Sequence, residues 1–203
     1  MSDCELIRLT FPAQPVAAFT ALGFVLVGGW ILFRRRSIGP FVFGLTLIGV
    51  GATSFWLHGW AGAHAGAVES VAVVATVSWL AIWVSWRPDA KVVGMWLVAV
   101  ATVGLVIMVA PTARHGLTGM VIAAFALAVL RNPGLRSDRR LHAALGIFAV
   151  ALVVYAMSRT GGPWCTPKSV IQGHGLWHLL SASALWLIGE AAGDSEKGTL
   201  SCP

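Results

Sequence analysis

His174 and His178 stand four residues apart in the run QGHGLWHLLSA. At helical pitch both imidazoles fall on one face, about 5–6 Å apart at Cβ, and that spacing lets two nitrogens chelate one metal ion. Ser54 and His58 repeat the spacing in GATSFWLHG. Together His58, His174 and His178 offer three neutral nitrogens, the donor set of a catalytic zinc site whose fourth position is left to water. The HGLWH segment lacks the glutamate of HExxH, which excludes a zincin protease helix and requires any base to come from another element. Glu69 can fill that role, orienting the attacking water and taking its proton, while Ser54 can hydrogen-bond the water or a developing oxyanion. Each residue taken alone also has a bland reading. A histidine or an acid at a membrane interface is often a hydrogen-bonded interfacial residue, and a serine in a membrane helix often bonds its own backbone. His64 and His115 read as loop or interfacial residues rather than ligands.

These residues must be positioned by helices that cross a bilayer. About 20 mostly apolar residues are needed per crossing, and seven candidate segments satisfy that pattern near 15–33, 39–58, 66–86, 92–110, 116–130, 142–158 and 174–189. Charged or Gly/Pro-containing breaks separate them, among them Arg34-Arg35-Arg36, Arg87-Pro88-Asp89 and Arg131 to Arg140. The expected fold class is an all-α membrane protein with seven transmembrane helices, forming a single unit over 1–203. No soluble domain, repeat or basic leader is evident, since Asp3 and Glu5 stand where a leader would be positive. The tail after Gly189 is polar and is expected to fray.

The basic residues set the orientation. Ten of the 14 Lys and Arg fall in loops 1–2, 3–4, 5–6 and the C-terminal tail, which predicts an external N-terminus and a cytoplasmic C-terminus. Span two then ends near the outer face with Ser54 and His58, span three starts there with Glu69, and span seven starts there with His174 and His178. All five residues are thereby expected at one depth on one side. Seven of the eight acids lie in loops or at chain ends, and Glu69 alone lies within a span, which marks it as a functional candidate.

Composition closes off several function classes. The chain is 57% hydrophobic and only 11% charged, whereas a soluble domain carries about a quarter charged residues. The net charge of +6 reads as topology-setting loops, with no nucleic acid as partner. Lys91, Lys168 and Lys197 all lie outside the spans, so no intramembrane amine is present for a retinal Schiff base. Cys4, Cys165 and Cys202 form no CxxC pair, so redox chemistry is not the main function. The ten tryptophans read as interfacial or packing residues, with Trp56 and Trp177 beside the ligands as walls of the site. The Ala/Val/Gly/Arg-rich composition and short loops point to a bacterial plasma membrane.

With these residues in hand, the chain resembles the seven-transmembrane alkaline ceramidase family, within the CREST superfamily of membrane hydrolases and adiponectin-receptor-like proteins. Gly51 to His58 resembles the family's small-residue stretch with S-x-x-x-H, and Glu69 stands where the family has Asp. Gly162 to Ala182, GPWCTPKSVIQGHGLWHLLSA, is similar to the last loop and span of bacterial members. Asp3-Cys4-Glu5 and Gln14-Pro15-Val16-Ala17 resemble the N-terminal signature. The resemblance implies a zinc amidase that releases a fatty acid from a sphingoid-type base. Its zinc ligands would be His58, His174 and His178, with Ser54 and Glu69 flanking the water. Gln14 and Ala17 replace the family's Glu and Asn, oxygens of a calcium site near the substrate amine, which argues against calcium and against a free sphingoid headgroup. The resemblance also implies a disulfide between Cys4 and Cys165, leaving Cys202 as a free internal thiol.

The resulting expectation is a zinc-dependent hydrolase of a ceramide-like membrane lipid, with its site toward the outer side. Two other readings share the histidines: a zinc hydrolase of an ester or phospholipid, and a non-catalytic zinc-binding seven-helix receptor-like protein. An exchangeable fourth position favours an enzyme, and a closed fourth ligand favours structure.

Overall fold

The computed structural model describes residues 3–62, 64–86 and 88–198, with side chains through 195. Cys202 lies outside the described residues. The described chain is helical throughout its regular structure, and six of its helices are long and apolar enough to cross a membrane. These are α1 (Pro15–Arg34), α2 (Ile38–Trp60), α3 (Ala65–Ser85), α4 (Ala90–Val109), α5 (Ala113–Arg131) and α7 (Arg139–Met157). Between the last two lies the short α6 (Pro133–Arg136), and the chain ends in α8 (Gly173–Gly198).

The helix ends follow local chemistry. Asp89 caps α4 by accepting from the Val92 N–H at 2.9 Å, and Asp138 caps α7 by accepting from the Arg140 N–H at 2.7 Å. Segment five, expected over 116–130, starts earlier, at Ala113, and takes Arg114 and His115 into its first turn. The four-residue α6 was not anticipated from the sequence. The Asn132 side chain makes it by accepting from the Leu135 N–H at 3.0 Å, with Pro133 at the first helical position.

The tail beyond Gly189 is helical rather than frayed as far as Gly198. Arg35, just past α1, donates to Glu190 at 2.7 Å and to Asp194 at 2.8 Å, and Arg140 reaches Asp194 at 2.7 Å. These ion pairs tie α8 to the ends of α1 and the start of α7.

Packing assembles α1, α2, α3 and α8 around a core containing Phe24, Ile31, Phe43, Leu47, Trp79 and Trp83. Three of the tryptophans, Trp79, Trp83 and Trp96, are buried packing residues. The Trp79 indole N–H donates to the Gly39 carbonyl at 2.8 Å. Helices α1 and α2 approach closely at Gly28 and Gly44, where a Cβ on Gly44 would stand 2.9 Å from the Gly28 carbonyl oxygen. α7 packs on α8, and α5 packs on α3.

The residues before α1 form a strap across one end of the bundle. Leu6 N–H donates to the Pro167 carbonyl at 3.1 Å, and Ala13 and Gln14 N–H donate to the carbonyls of Gly59 and His58, each at 2.8 Å. Cys4 and Cys165 form a disulfide with Cα atoms 5.4 Å apart, the pairing expected from the resemblance. The strap is thus fixed both to the end of α2 and to the α7–α8 connection.

Candidate metal centre

α2 delivers Ser54 and His58 at its last turns, α3 delivers Glu69 one turn after its start, and α8 delivers His174 and His178 in its first two turns. The fold brings all five to one end of the bundle, as the alternation of helix direction predicts. Ser54, His58 and His178 are buried, at 1%, 2% and 3% exposure, while His174 and Glu69 are half-buried. One nitrogen from each of the three histidines can be chosen so that all lie within 4.8 Å of one another.

Hydrogen-bond partners decide which nitrogen each ring presents. His178 Nδ1 lies 3.0 Å from the Ala17 carbonyl, which can only accept, so Nδ1 carries the proton and Nε2 the lone pair. The Ser54 hydroxyl lies 3.3 Å from that Nε2. His58 Nδ1 lies 2.8 Å from the Gln14 side-chain oxygen, and the Gln14 amide nitrogen donates to the Glu5 carbonyl at 3.2 Å, which fixes the orientation of the amide. His174 Nδ1 lies 3.2 Å from an Asp3 carboxylate oxygen. His58 and His178 therefore point Nδ1–H outward to an oxygen and Nε2 inward, whereas His174 Nδ1 faces Asp3 without a hydrogen bond.

The Nε2 atoms of His58 and His174 are 3.1 Å apart. With His58 Nδ1 protonated toward Gln14, His174 Nε2–H can donate to the His58 Nε2 lone pair, and a shared cation would take the place of that proton. Tetrahedral donors at a Zn–N distance of about 2.0–2.1 Å stand roughly 3.3 Å apart. The residues fit zinc in donor type and spacing, and the oxygens that accept from the far nitrogens of His58 and His178 are the usual outer partners of metal-bound histidine. Among the described residues this group contains three histidines and no cysteine or carboxylate, so a fourth position is left open.

Calcium fits poorly. It takes about six to eight oxygens, whereas both Glu5 carboxylate oxygens accept backbone N–H groups at the start of α1, from Val16 at 2.8 Å and Ala17 at 2.9 Å. The Gln14 oxygen is committed to His58, and Asp3 faces His174.

Glu69 approaches the Ser54 hydroxyl and shares a half-open cavity of about 830 Å3 with His58 and His174. The cavity lies between the strap, α3, α5 and the α7 end, and Asp3, Gln14, Arg114, Tyr155 and Arg159 also line it. Burial pushes the Asp3 carboxyl above the ordinary aspartate range, opposed by the nearby His58 and Arg159. His64 is an exposed residue at the start of α3, and His115 sits at the exposed rim of the cavity; neither joins the three ligands.

Trp56 and Trp177, expected as walls of the site, do not line the cavity. Trp56 is 40% exposed, and Trp177 packs behind Tyr155 with ring centroids 5.1 Å apart, so Tyr155 forms the wall instead. Asp3 and Gln14 are the positioning residues that sequence reasoning did not assign. The signals for Asp3 were its place in the N-terminal signature and the neighbouring cysteine, whose partner Cys165 lies nine residues before His174.

No protein-family model matches this chain, and no curated protein matches it.

Proposed function

We propose that the chain crosses a bacterial plasma membrane seven times, with the N-terminus outside and the C-terminus in the cytoplasm, and that it is a zinc-dependent hydrolase of ceramide-like lipid amides. Its products would be a fatty acid and a sphingoid-type amine. The observation that carries this reading is the convergence of three histidine ring nitrogens beside Ser54 and Glu69, with His58, His174 and Glu69 lining an open cavity. The three-histidine set without a fourth protein ligand favours turnover over a closed structural site.

Amide hydrolysis joins a water oxygen to the acyl carbon, breaks the C–N bond and moves a proton from the water to the departing nitrogen. Glu69, on the cavity wall, is the group that takes this proton and returns it to the nitrogen. Ser54 lies 3.3 Å from His178 Nε2 and beside Glu69, and with zinc on that nitrogen its single hydroxyl proton would be donated toward the reacting oxygen. Bound zinc would supply Lewis acidity, polarising the acyl oxygen and acidifying water. The apolar side chains Ile7, Leu57 and Ile122 line the same cavity and suit an acyl chain.

The test is turnover and zinc content on one preparation. Wild-type protein is expected to hydrolyse a ceramide, and Glu69→Gln, nearly isosteric, should keep its zinc and lose at least about 10²-fold in rate. Zinc-loaded wild type that cleaves no ceramide would defeat the amidase reading. Full turnover in Glu69→Gln would remove the base.

A further inference from the structure

We propose that the strap and the α7–α8 connection together form a contact with anionic phospholipid at the bilayer surface. Exposed apolar side chains of both segments enter the boundary between headgroups and acyl chains, and Arg8 and Lys168 meet the lipid phosphates. This contact belongs to the outer surface of the ligand end and is independent of the reaction in the cavity beneath it.

The two segments are tied to each other. The disulfide joins Cys4 to Cys165, and the Leu6 N–H donates to the Pro167 carbonyl at 3.1 Å, so Arg8 and Lys168 follow closely on a shared bond. Leu6 and Leu9 on the strap and Trp164, Val170 and Ile171 on the connection are exposed, Leu9 completely and Val170 at 84%. Large apolar side chains concentrated on two tied segments mark an interaction face, unlike single apolar residues scattered over a surface.

The helices set the depth of that face. α2 has 23 residues, a length of roughly 34 Å at helical rise, which carries its end past a hydrocarbon core of about 30 Å. Trp60, its last residue, then falls among the headgroups, where aromatic side chains collect. Phe11 of the strap packs on Trp60 with ring centroids 4.4 Å apart. The connection runs from the end of α7 at Met157 to the start of α8 at Gly173, at the same end of the bundle. Both segments therefore start from headgroup depth.

Charge selects the partner. The acids at this end turn inward: Asp3 faces His174, both Glu5 carboxylate oxygens accept the Val16 and Ala17 N–H groups, and Glu69 lines the cavity. Residues 6–14 and 158–172 contain no acid, and Arg8 and Lys168 are exposed. An apolar face carrying cations and no exposed acid complements an anionic lipid surface. Long basic side chains lay their stems along apolar groups there and keep their charges among the phosphates. A second copy apposed through the same face would set cation against cation.

The test uses the full-length protein, one copy per nanodisc, with Cys202→Ser and an environment-sensitive fluorophore on Leu9→Cys or, separately, on Val170→Cys. The discs mix phosphatidylcholine with phosphatidylglycerol, and a shallow acyl-chain nitroxide is carried by one lipid or by the other. Both labels should be quenched, and more strongly by the phosphatidylglycerol nitroxide. Its local enrichment should be about fivefold per cation at low salt, should shrink at high salt, and should be lost in the double variant Arg8→Gln/Lys168→Gln. Quenching by neither lipid, which leaves the face in water, overturns the proposal, and so does equal quenching by both. These two comparisons decide with Arg8 and Lys168 intact, whether or not the double variant folds. A preference retained in full by a double variant with an unchanged unfolding midpoint also overturns it. Shielding that requires two copies per disc assigns the face to a dimer and overturns it as well.

Discussion

Two ligand imidazoles are hydrogen-bonded from behind, His58 by Gln14 and His178 by the Ala17 carbonyl, and His174 faces an Asp3 carboxylate oxygen 3.2 Å away. Such contacts fix the tautomer and ring orientation and increase the basicity of the ligating nitrogen, and their loss commonly lowers metal affinity about 10–100-fold. Asp3→Ala should therefore weaken zinc binding within that range while leaving one equivalent bound at saturation. Chelator competition on the purified variant measures it; unchanged affinity would mean that His174 is oriented by something else. The five site residues were legible from the sequence because i, i+4 spacing and helix alternation suffice to place them. Asp3 and Gln14 were not, because each meets its histidine only through a tertiary contact that no local spacing encodes.

Helices supply the depth and direction that make the cluster possible, and here the sequence was a close guide. Six of the seven expected segments are the membrane-length apolar helices α1–α5 and α7, because long apolar runs bounded by arginine and proline leave few alternatives, and the seventh opens the mixed helix α8. The tail and the strap were harder to read. Helix α8 continues to Gly198 because Arg35 and Arg140 meet Glu190 and Asp194, and the strap has no hydrophobic period at all. The α1–α2 contact aligns Gln14 and Ala17 with the histidines, so its fit can be tested at one atom. Alanine normally improves on glycine in a helix by about 1 kcal/mol, yet at Gly44 the new methyl would press on the Gly28 carbonyl oxygen. Overpacking costs about 1–3 kcal/mol. Gly44→Ala should thus lower the thermal unfolding midpoint, whereas Gly29→Ala, with open space around it, should hold or raise it. The same sign of change in both would contradict the close packing described.

Over the whole molecule, one end of the bundle holds the histidines, the acid, the cavity and the disulfide-tied strap, while the Arg35, Arg140, Glu190 and Asp194 pairs tie α8 to other helices beyond the ligand turns. The site is assembled from segments more than 100 residues apart: 116 residues separate His58 from His174. A metal that bridges α2 and α8 therefore reports on the entire arrangement. The central claim is that these histidines hold one catalytic zinc, and metal analysis of wild type and His178→Ala tests it most directly. Wild type should carry about one zinc per chain, with lipid hydrolysis lost on chelation and restored by zinc, and His178→Ala should lose most of the metal and the activity together. Undiminished zinc in His178→Ala, or hydrolysis that survives complete removal of metal from wild type, would contradict the account.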